Sequence, residues 1–380
     1  MSAPAAAPVI SRLSRARERM RAVQVDALVV SHLPNIRYLT GFVGTAGLVV
    51  LTPTACSLIV DFRYRTAAKA LVAAADIAAE ITLVVPSQSY DETLAAVLRE
   101  SGARRIGIEA AWMPVSRFNR LAVALAAAAP TPLRSPDACP VLLPTERIIE
   151  SQRVVKDETE IATLREAGRR LGAAIPEAVG LVRAGRSELE VAAEVDAMLR
   201  RHGFERPAFD TIVASGPNSA LPHARPGHRK IEDGDGVVLD FGGVYDGYCV
   251  DLTRTVQLND TGTEFRRLFA AVAEAQRQAI AAVRPGVKAS AVDDAARAAL
   301  GRYGLEEAFG HGTGHGLGLE VHEEPRIGKP LAGQPDVILE PGMVFTVEPG
   351  AYVEGIGGVR IEDDVLVTGD GCIVLTANGG

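Results

Sequence analysis

The chain has 380 residues, 47% of them hydrophobic, which is enough for two packed domains and excludes extended disorder. Lysine and arginine number 40 against 47 acids, a net charge of −7, and no basic run suggests a nucleic-acid surface. The longest apolar runs are alanine-rich and fall short of the roughly 20 residues of a membrane span, and MSAPAAAPVI lacks the basic start and apolar core of a signal peptide.

Residues 11 to 31 read as an arginine-rich amphipathic helix running into the strand DALVVS. Further strands are expected at GLVVLTP, CSLIVDF, ITLVVP and RIGIE, with helical stretches such as YDETLAAVLRES between them. That alternation predicts an α/β domain over residues 1–134. RSPDACPVLLPTER contains three prolines and no clear periodicity, so residues 135–147 are expected to form a linker to a second domain, 148–380. Cys56, Cys139, Cys249 and Cys372 are widely spaced and form no CxxC pair. Neither a disulfide framework nor a thiolate zinc site is indicated, and a cytoplasmic protein with reduced thiols is expected.

In the second half, Asp157 or Thr159 can cap a helix in which Ile161, Leu164, Ala167 and Leu171 recur at helical spacing. Helices are also expected from Glu188 to His202 and from Glu264 to Val283. After Gly310 the pattern changes to short β runs, so this domain reads as α+β.

The unusual chemistry gathers in those β runs. VVLDFGGVYDGYCVDLTRTV reads as a hairpin; centred between Tyr245 and Asp246, it would make Asp240 and Asp251 direct cross-strand partners about 4.5–5.5 Å apart. Like charges facing each other among apolar neighbours are destabilising unless a cation lies between them. The alternative is a shifted register with one aspartate solvated. GGVRIEDDVLV, read as one strand, puts Arg360, Glu362 and Asp364 on one face, and Glu348 ends an apolar strand before a Pro-Gly turn. In HGTGHGLGLEVHEEP the glycines argue against a helix. In an extended chain His311 and His315 share a face and His322 takes the other, so the residues alone do not assign all three to one cation. A bend or bulge between Gly318 and Val321 would bring His322 into the same cavity.

These motifs, in this order, resemble the C-terminal "pita-bread" catalytic domain of the M24 metallopeptidases, and NIRYLTGF with VDFRY resembles the creatinase/prolidase-type N-terminal domain. The likeness spans nearly the whole chain and is nearest to the Xaa-Pro peptidases, aminopeptidase P and prolidase (Xaa-Pro dipeptidase). It implies two divalent ions, Mn²⁺ first with Co²⁺ or Zn²⁺ as alternatives, held by Asp240, Asp251, His315, Glu348 and Glu362. Asp251 and Glu362 would bridge, Asp240 would complete one shell, and His315 with Glu348 the other. Four carboxylates then balance two dications.

It further implies Glu348 as general base, His322 and His223 as catalytic and substrate contacts, and His311, Tyr352 and Arg360 as residues lining or buttressing the substrate site. The expected substrates are peptides with proline at the second position, and the expected assembly is a homodimer. A dipeptidase would need an arginine for the prolyl carboxylate, with Arg63, Arg65, Arg225 and Arg326 as candidates. Three other readings share the fold: a non-enzymatic peptide- or protein-binding relative, creatinase and methionine aminopeptidase. The first two lack the five-residue set present here, and the third normally lacks the N-terminal domain.

Overall fold

The computed structural model describes residues 6–74, 77, 79–87, 89–127 and 140–377, which divide into two units, Met1–Arg153 and Val154–Gly380. Cys139, residues 1–5 and residues 135–139 of the expected linker lie outside the described residues.

The N-terminal unit follows the predicted alternation: α1 (Ala6–Ala22), β1 (Ala27–Val30), α2 (Leu33–Thr40), β2 (Leu48–Leu51), β3 (Cys56–Ile59), α3 (Arg65–Ala74), β4 (Ile81–Val84), α4 (Tyr90–Ser101), β5 (Arg105–Glu109), α5 (Val115–Ala127), β6 (Val141–Thr145) and α6 (Glu150–Arg153). Its sheet runs β4-β3-β2-β1-β5-β6, parallel except where β2 pairs with β1 and β3. Ala27, Leu28, Val29 and Val30 are all fully buried, as expected for a strand covered on both faces. One expectation is corrected. Residues 141–145 of the proposed linker form β6, paired in register from Arg105↔Val141 to Glu109↔Thr145, and the boundary between units falls after Arg153. Pro144 lies on this edge strand, where a missing amide donor is tolerated.

The C-terminal unit opens with α7 (Glu158–Leu181) and α8 (Glu188–Arg201). Asp157 is the cap of α7: its carboxylate accepts from the amides of Thr159 and Glu160, and Glu160 reaches back to the amide of Asp157. Next come β7 (Arg206–Pro207), β8 (Ile212–Ser215), the long hairpin β9 (Gly236–Tyr245) and β10 (Tyr248–Gln257), then α9 (Gly262–Ala282) and α10 (Ala289–Gly301). The chain ends in β11 (Gly314–Gly316), β12 (Glu323–Ile327), β13 (Val344–Val347), β14 (Gly350–Val353), β15 (Gly357–Arg360), β16 (Asp363–Val367) and β17 (Cys372–Val374). One sheet is β10-β9-β7 with β8 also on β9; the other runs β12-β11-β13-β16-β17, and β14 pairs with β15.

Apolar faces of α7 and α8 pack on β9 and β10 through Leu171, Val195, Phe241 and Val250, while α9 and α10 cover Phe345, Val347 and Val365. No described helix is long and apolar enough to cross a membrane. Cys56 and Cys249 are buried free thiols, which burial pushes up to about 12.

Candidate active site

The β9–β10 hairpin turns on Asp246 and Gly247, with φ of 43° and 73°, a two-residue turn whose positive φ values suit the Asp-Gly pair. This shifts the register by two residues from the one expected. Asp251 faces Gly242 and Asp240 faces Thr253, so the two aspartates are diagonal rather than directly opposed. A shift of two preserves the face, and both carboxylates remain buried on one side of the ribbon.

The GGVRIEDDVLV segment is also not one strand. It breaks at Ile361 and Glu362, leaving β14 as the partner of β15 and taking β13 and β17 as partners of β16. Glu362 sits at the break, 2% exposed, where its Oε2 accepts from Thr253 Oγ1 at 2.6 Å. Asp364 points elsewhere from the strand-face expectation: it is not among the cavity-lining residues, and its Oδ2 accepts from the amide of Asp251 at 3.0 Å. Glu348 follows β13, with its amide tied to the Thr313 carbonyl, and the turn directs its side chain into the cavity.

The histidine-rich segment reverses direction. β11 and β12 are antiparallel, the register shifts between His315 and Gly316, and residues 317–322 form the bend. It brings the His322 ring edge-on to His315 at 4.3 Å between centroids, as the cavity reading required. Glycine is needed at two positions here: a Cβ at Gly314 would overlap the Thr346 carbonyl, and one at Gly316 the Glu324 carbonyl.

Five side chains therefore converge. Asp251, His315 and Glu362 offer ligand atoms within 4.8 Å of one another. His315 Nε2 lies 3.5 Å from Glu348 Oε1 and 4.0 Å from Asp251 Oδ2. Asp240 joins through Arg360, whose Nη2 donates to Asp240 Oδ2 at 2.5 Å. His315 Nδ1 lies 3.1 Å from the Gly316 carbonyl, which can only accept, so this nitrogen carries the proton and Nε2 presents its lone pair to the carboxylates. Burial, then neighbouring His322, lowers the His315 pKa to about 4, so the ring is neutral near pH 7.

The carboxylates are strained electrostatically. Burial first, then Glu362 and Asp240, pushes the Asp251 carboxyl well up; burial and then Glu348 and Asp240 do the same to Glu362. Glu348 rises to about 8, mainly through burial. Asp240 Oδ1 and Asp251 Oδ1 are buried without a hydrogen-bond partner. Unpartnered acceptors at this density carry a large desolvation cost, and a cation satisfies both the charges and the lone pairs. The donor set, oxygen-rich with one imidazole and no thiolate, fits hard or borderline divalent ions.

The cluster lies in a cavity of about 510 Å³ that is also lined by His223, His311, His322, Arg326 and Arg360. Tyr352, expected on its wall, is not among the lining residues and meets the site through a directed chain. Arg360 Nη1 donates to Tyr352 Oη at 2.8 Å, and Tyr352 Oη lies 3.1 Å from His311 Nε2. His311 Nδ1 faces the Gly312 carbonyl at 2.8 Å and must donate, so the Tyr352 hydroxyl donates to Nε2. Burial lowers His311 to about 4, in keeping with that neutral ring.

Sequence reasoning missed Phe209, Asp210, Ile212 and Pro222 on the wall, and Thr253 beneath Glu362. Thr253 had a signal, since it lies two residues from Asp251 on the same strand face. Pro222 also had one, as the neighbour of His223, whereas Ile212 had none, because only its pairing with Asp240 brings β8 beside the cluster.

Residues 162–369 match the model of metallopeptidase family M24, and residues 12–155 match the creatinase/prolidase N-terminal domain. The chain belongs to family M24 and carries that N-terminal domain. It is 34% identical over 355 residues to the Xaa-Pro dipeptidase of Pyrococcus horikoshii, covering 93% of each chain. Among solved structures it is similar to the Xaa-Pro dipeptidase from Bacillus anthracis, with a TM-score of 0.88, 34% identity and 97% of each chain covered. It is also similar to the X-Pro aminopeptidase from Thermotoga maritima, with a TM-score of 0.81, 34% identity, and 95% of this chain and 97% of that one covered.

Proposed function

We propose that this protein is a metal-dependent exopeptidase that cleaves the bond between an N-terminal residue and proline, using two divalent ions, Mn²⁺ first. The observation that carries the reading is the convergence of three buried carboxylates, the half-buried carboxylate of Glu348 and one neutral imidazole, two of the carboxylate oxygens unpartnered, beside three further histidines in one cavity. Asp240, Asp251, His315, Glu348 and Glu362 would hold the ions. The chemistry such ions supply is Lewis-acid polarisation of a carbonyl and a water whose pKa falls to about 7.

The remaining work belongs to side chains. Glu348 takes the proton of the attacking water and carries it toward the departing prolyl nitrogen. His322 and His223 stand on the cavity wall, where their N–H groups can stabilise the developing oxyanion. Arg360 holds Asp240 and, through Tyr352, orients His311. Among the four candidate arginines, Arg326 lines this cavity, whereas Arg63 is paired with Asp61 at 2.7 Å. A guanidinium at the cavity suits the carboxylate of a prolyl dipeptide, and dipeptide cleavage is the reading we favour. We further assign a homodimer in the cytoplasm; the free thiols fit a reducing compartment.

The test is a panel of Ala-Pro, Ala-Pro-Ala, a methionyl peptide and creatine with the Mn²⁺-loaded protein. Hydrolysis of Ala-Pro well above the other three is expected, with KM for Ala-Pro raised in Arg326→Ala. Hydrolysis of creatine or the methionyl peptide alone would refute the assignment, and a monomer mass on gel filtration would refute the dimer.

A further inference from the structure

Glu188 is fully buried and plays no part in the chemistry above. It begins α8, and its carboxylate reaches a segment that carries His223. Oε1 accepts from the amide of Ser215 at 2.8 Å, from Ser215 Oγ at 2.7 Å and from Asn218 Nδ2 at 3.0 Å. Oε2 accepts from the amide of Gly227 at 3.1 Å and from Asn218 Nδ2 at 3.2 Å. One carboxylate thus joins the two ends of the loop between Ser215 and Gly227. Backbone bonds reinforce the second end, since the amides of Glu188 and Leu189 donate to the carbonyls of Arg229 and Gly227.

Between those ends the chain runs to the cavity, where Pro222 and His223 form part of the wall. There the loop has a second anchor: Arg360 Nη1 donates to the Pro222 carbonyl at 3.2 Å while Nη2 holds Asp240. His223 itself is exposed, so its place over the cluster depends on how the loop is held.

We propose that Glu188 is a positioning residue for catalysis, clasping both ends of the 216–226 loop so that His223 stands at the cavity. The inference rests on the reading of His223 as a substrate contact. Every group facing the carboxylate is a donor. Ser215 Oγ gives its proton to Glu188 and accepts from Arg229 Nη1 at 2.7 Å. A glutamine, with one acceptor oxygen and an NH₂ group, can therefore satisfy only one end of the clasp and must release the other.

The experiment compares the full-length, Mn²⁺-loaded protein with Glu188→Gln, His223→Ala and the double variant, using Ala-Pro. Misplacing a contact residue by about 1 Å costs up to about 100-fold, and a loss of that order in kcat/KM is expected for Glu188→Gln. The loss should fall chiefly on kcat, with Mn²⁺ affinity unchanged. In the double variant, kcat/KM should equal that of His223→Ala alone, because Glu188 acts through the histidine. Amide hydrogen exchange should quicken across residues 215–227 and stay at wild-type rates in α7. Wild-type kcat/KM in Glu188→Gln, or losses that multiply in the double variant, would overturn the proposal. If Glu188→Gln does not fold, Asn218→Ala decides: a smaller loss with the same dependence on His223 supports the clasp, and an independent loss refutes it. Failure of the wild type to cleave Ala-Pro would instead sink the functional reading, while the exchange rates would still judge the clasp.

Discussion

Both units bury carboxylates, and they treat them differently. In the N-terminal unit Glu109 is 6% exposed, and burial raises its pKa. Yet both its oxygens are satisfied: Oε2 accepts from the amides of Ser31 and His32 at 2.6 and 2.8 Å, and Oε1 from Asn35 at 2.7 Å. In the C-terminal unit Asp240, Asp251 and Asp364 each leave one buried oxygen without a donor; among the described residues these are the buried carboxylate oxygens so left. Burial and a raised pKa are common to Glu109 and Asp251, so neither distinguishes structure from function. The distinction lies in what surrounds the oxygens. Around Glu109 there are N–H and O–H donors, which stabilise a fold; around Asp251 there are other carboxylates, which call for a cation.

Neutralising one acid in each unit should have sharply different consequences. Asp251→Asn should abolish divalent-ion binding by calorimetry and with it Xaa-Pro hydrolysis, whereas Glu109→Gln should leave both intact. Glu348→Gln should lower kcat by about 10²–10⁴, the usual worth of a general base, measured at saturating Mn²⁺; a loss of a few-fold would remove Glu348 from that role.

The metal-free protein should show the opposite pH dependence from one held by salt bridges. Glu348 ionises near 4.5 when unfolded and at about 8 when folded. Between those values the unfolded state has lost the proton that the folded state keeps, so stability present below pH 4.5 declines as pH rises toward 8. Asp251 and Glu362 act in the same direction. Denaturant titrations across that window should show the decline without metal and its suppression with Mn²⁺. The smallest effect is on the structural side: Glu109→Gln turns an acceptor into a donor facing N–H groups and should cost about 1–3 kcal/mol in denaturant unfolding.

The strands and helices of the N-terminal unit were legible because short apolar runs alternate with helical periodicity, and the α7 cap because Asp157 and Glu160 have the spacing of a capping box. The acids and histidines of the cavity were also legible as residue types. Their contacts were less so. The direct pairing of Asp240 with Asp251 failed because register follows the turn: left-handed φ values at Asp246 and Gly247 move it by two. The expectation that both face one side survived, since side chains repeat every two residues. The break at Ile361 and Glu362 was hidden by continuous alternation of polar and apolar residues. His322 reached His315 only through the bend at 317–322, which local sequence permits through its glycines without specifying its direction. Glu188 gave no signal, because a helix-opening glutamate is usually explained by the helix dipole.

Counting bound ions decides whether these carboxylates form a dinuclear centre. Equilibrium dialysis of the purified protein against Mn²⁺, with metal content measured on wild type and Glu362→Gln, should give two ions per chain for wild type and fewer than two for the variant. Two ions in both, or none in wild type, would contradict the assignment of these carboxylates to a dinuclear centre.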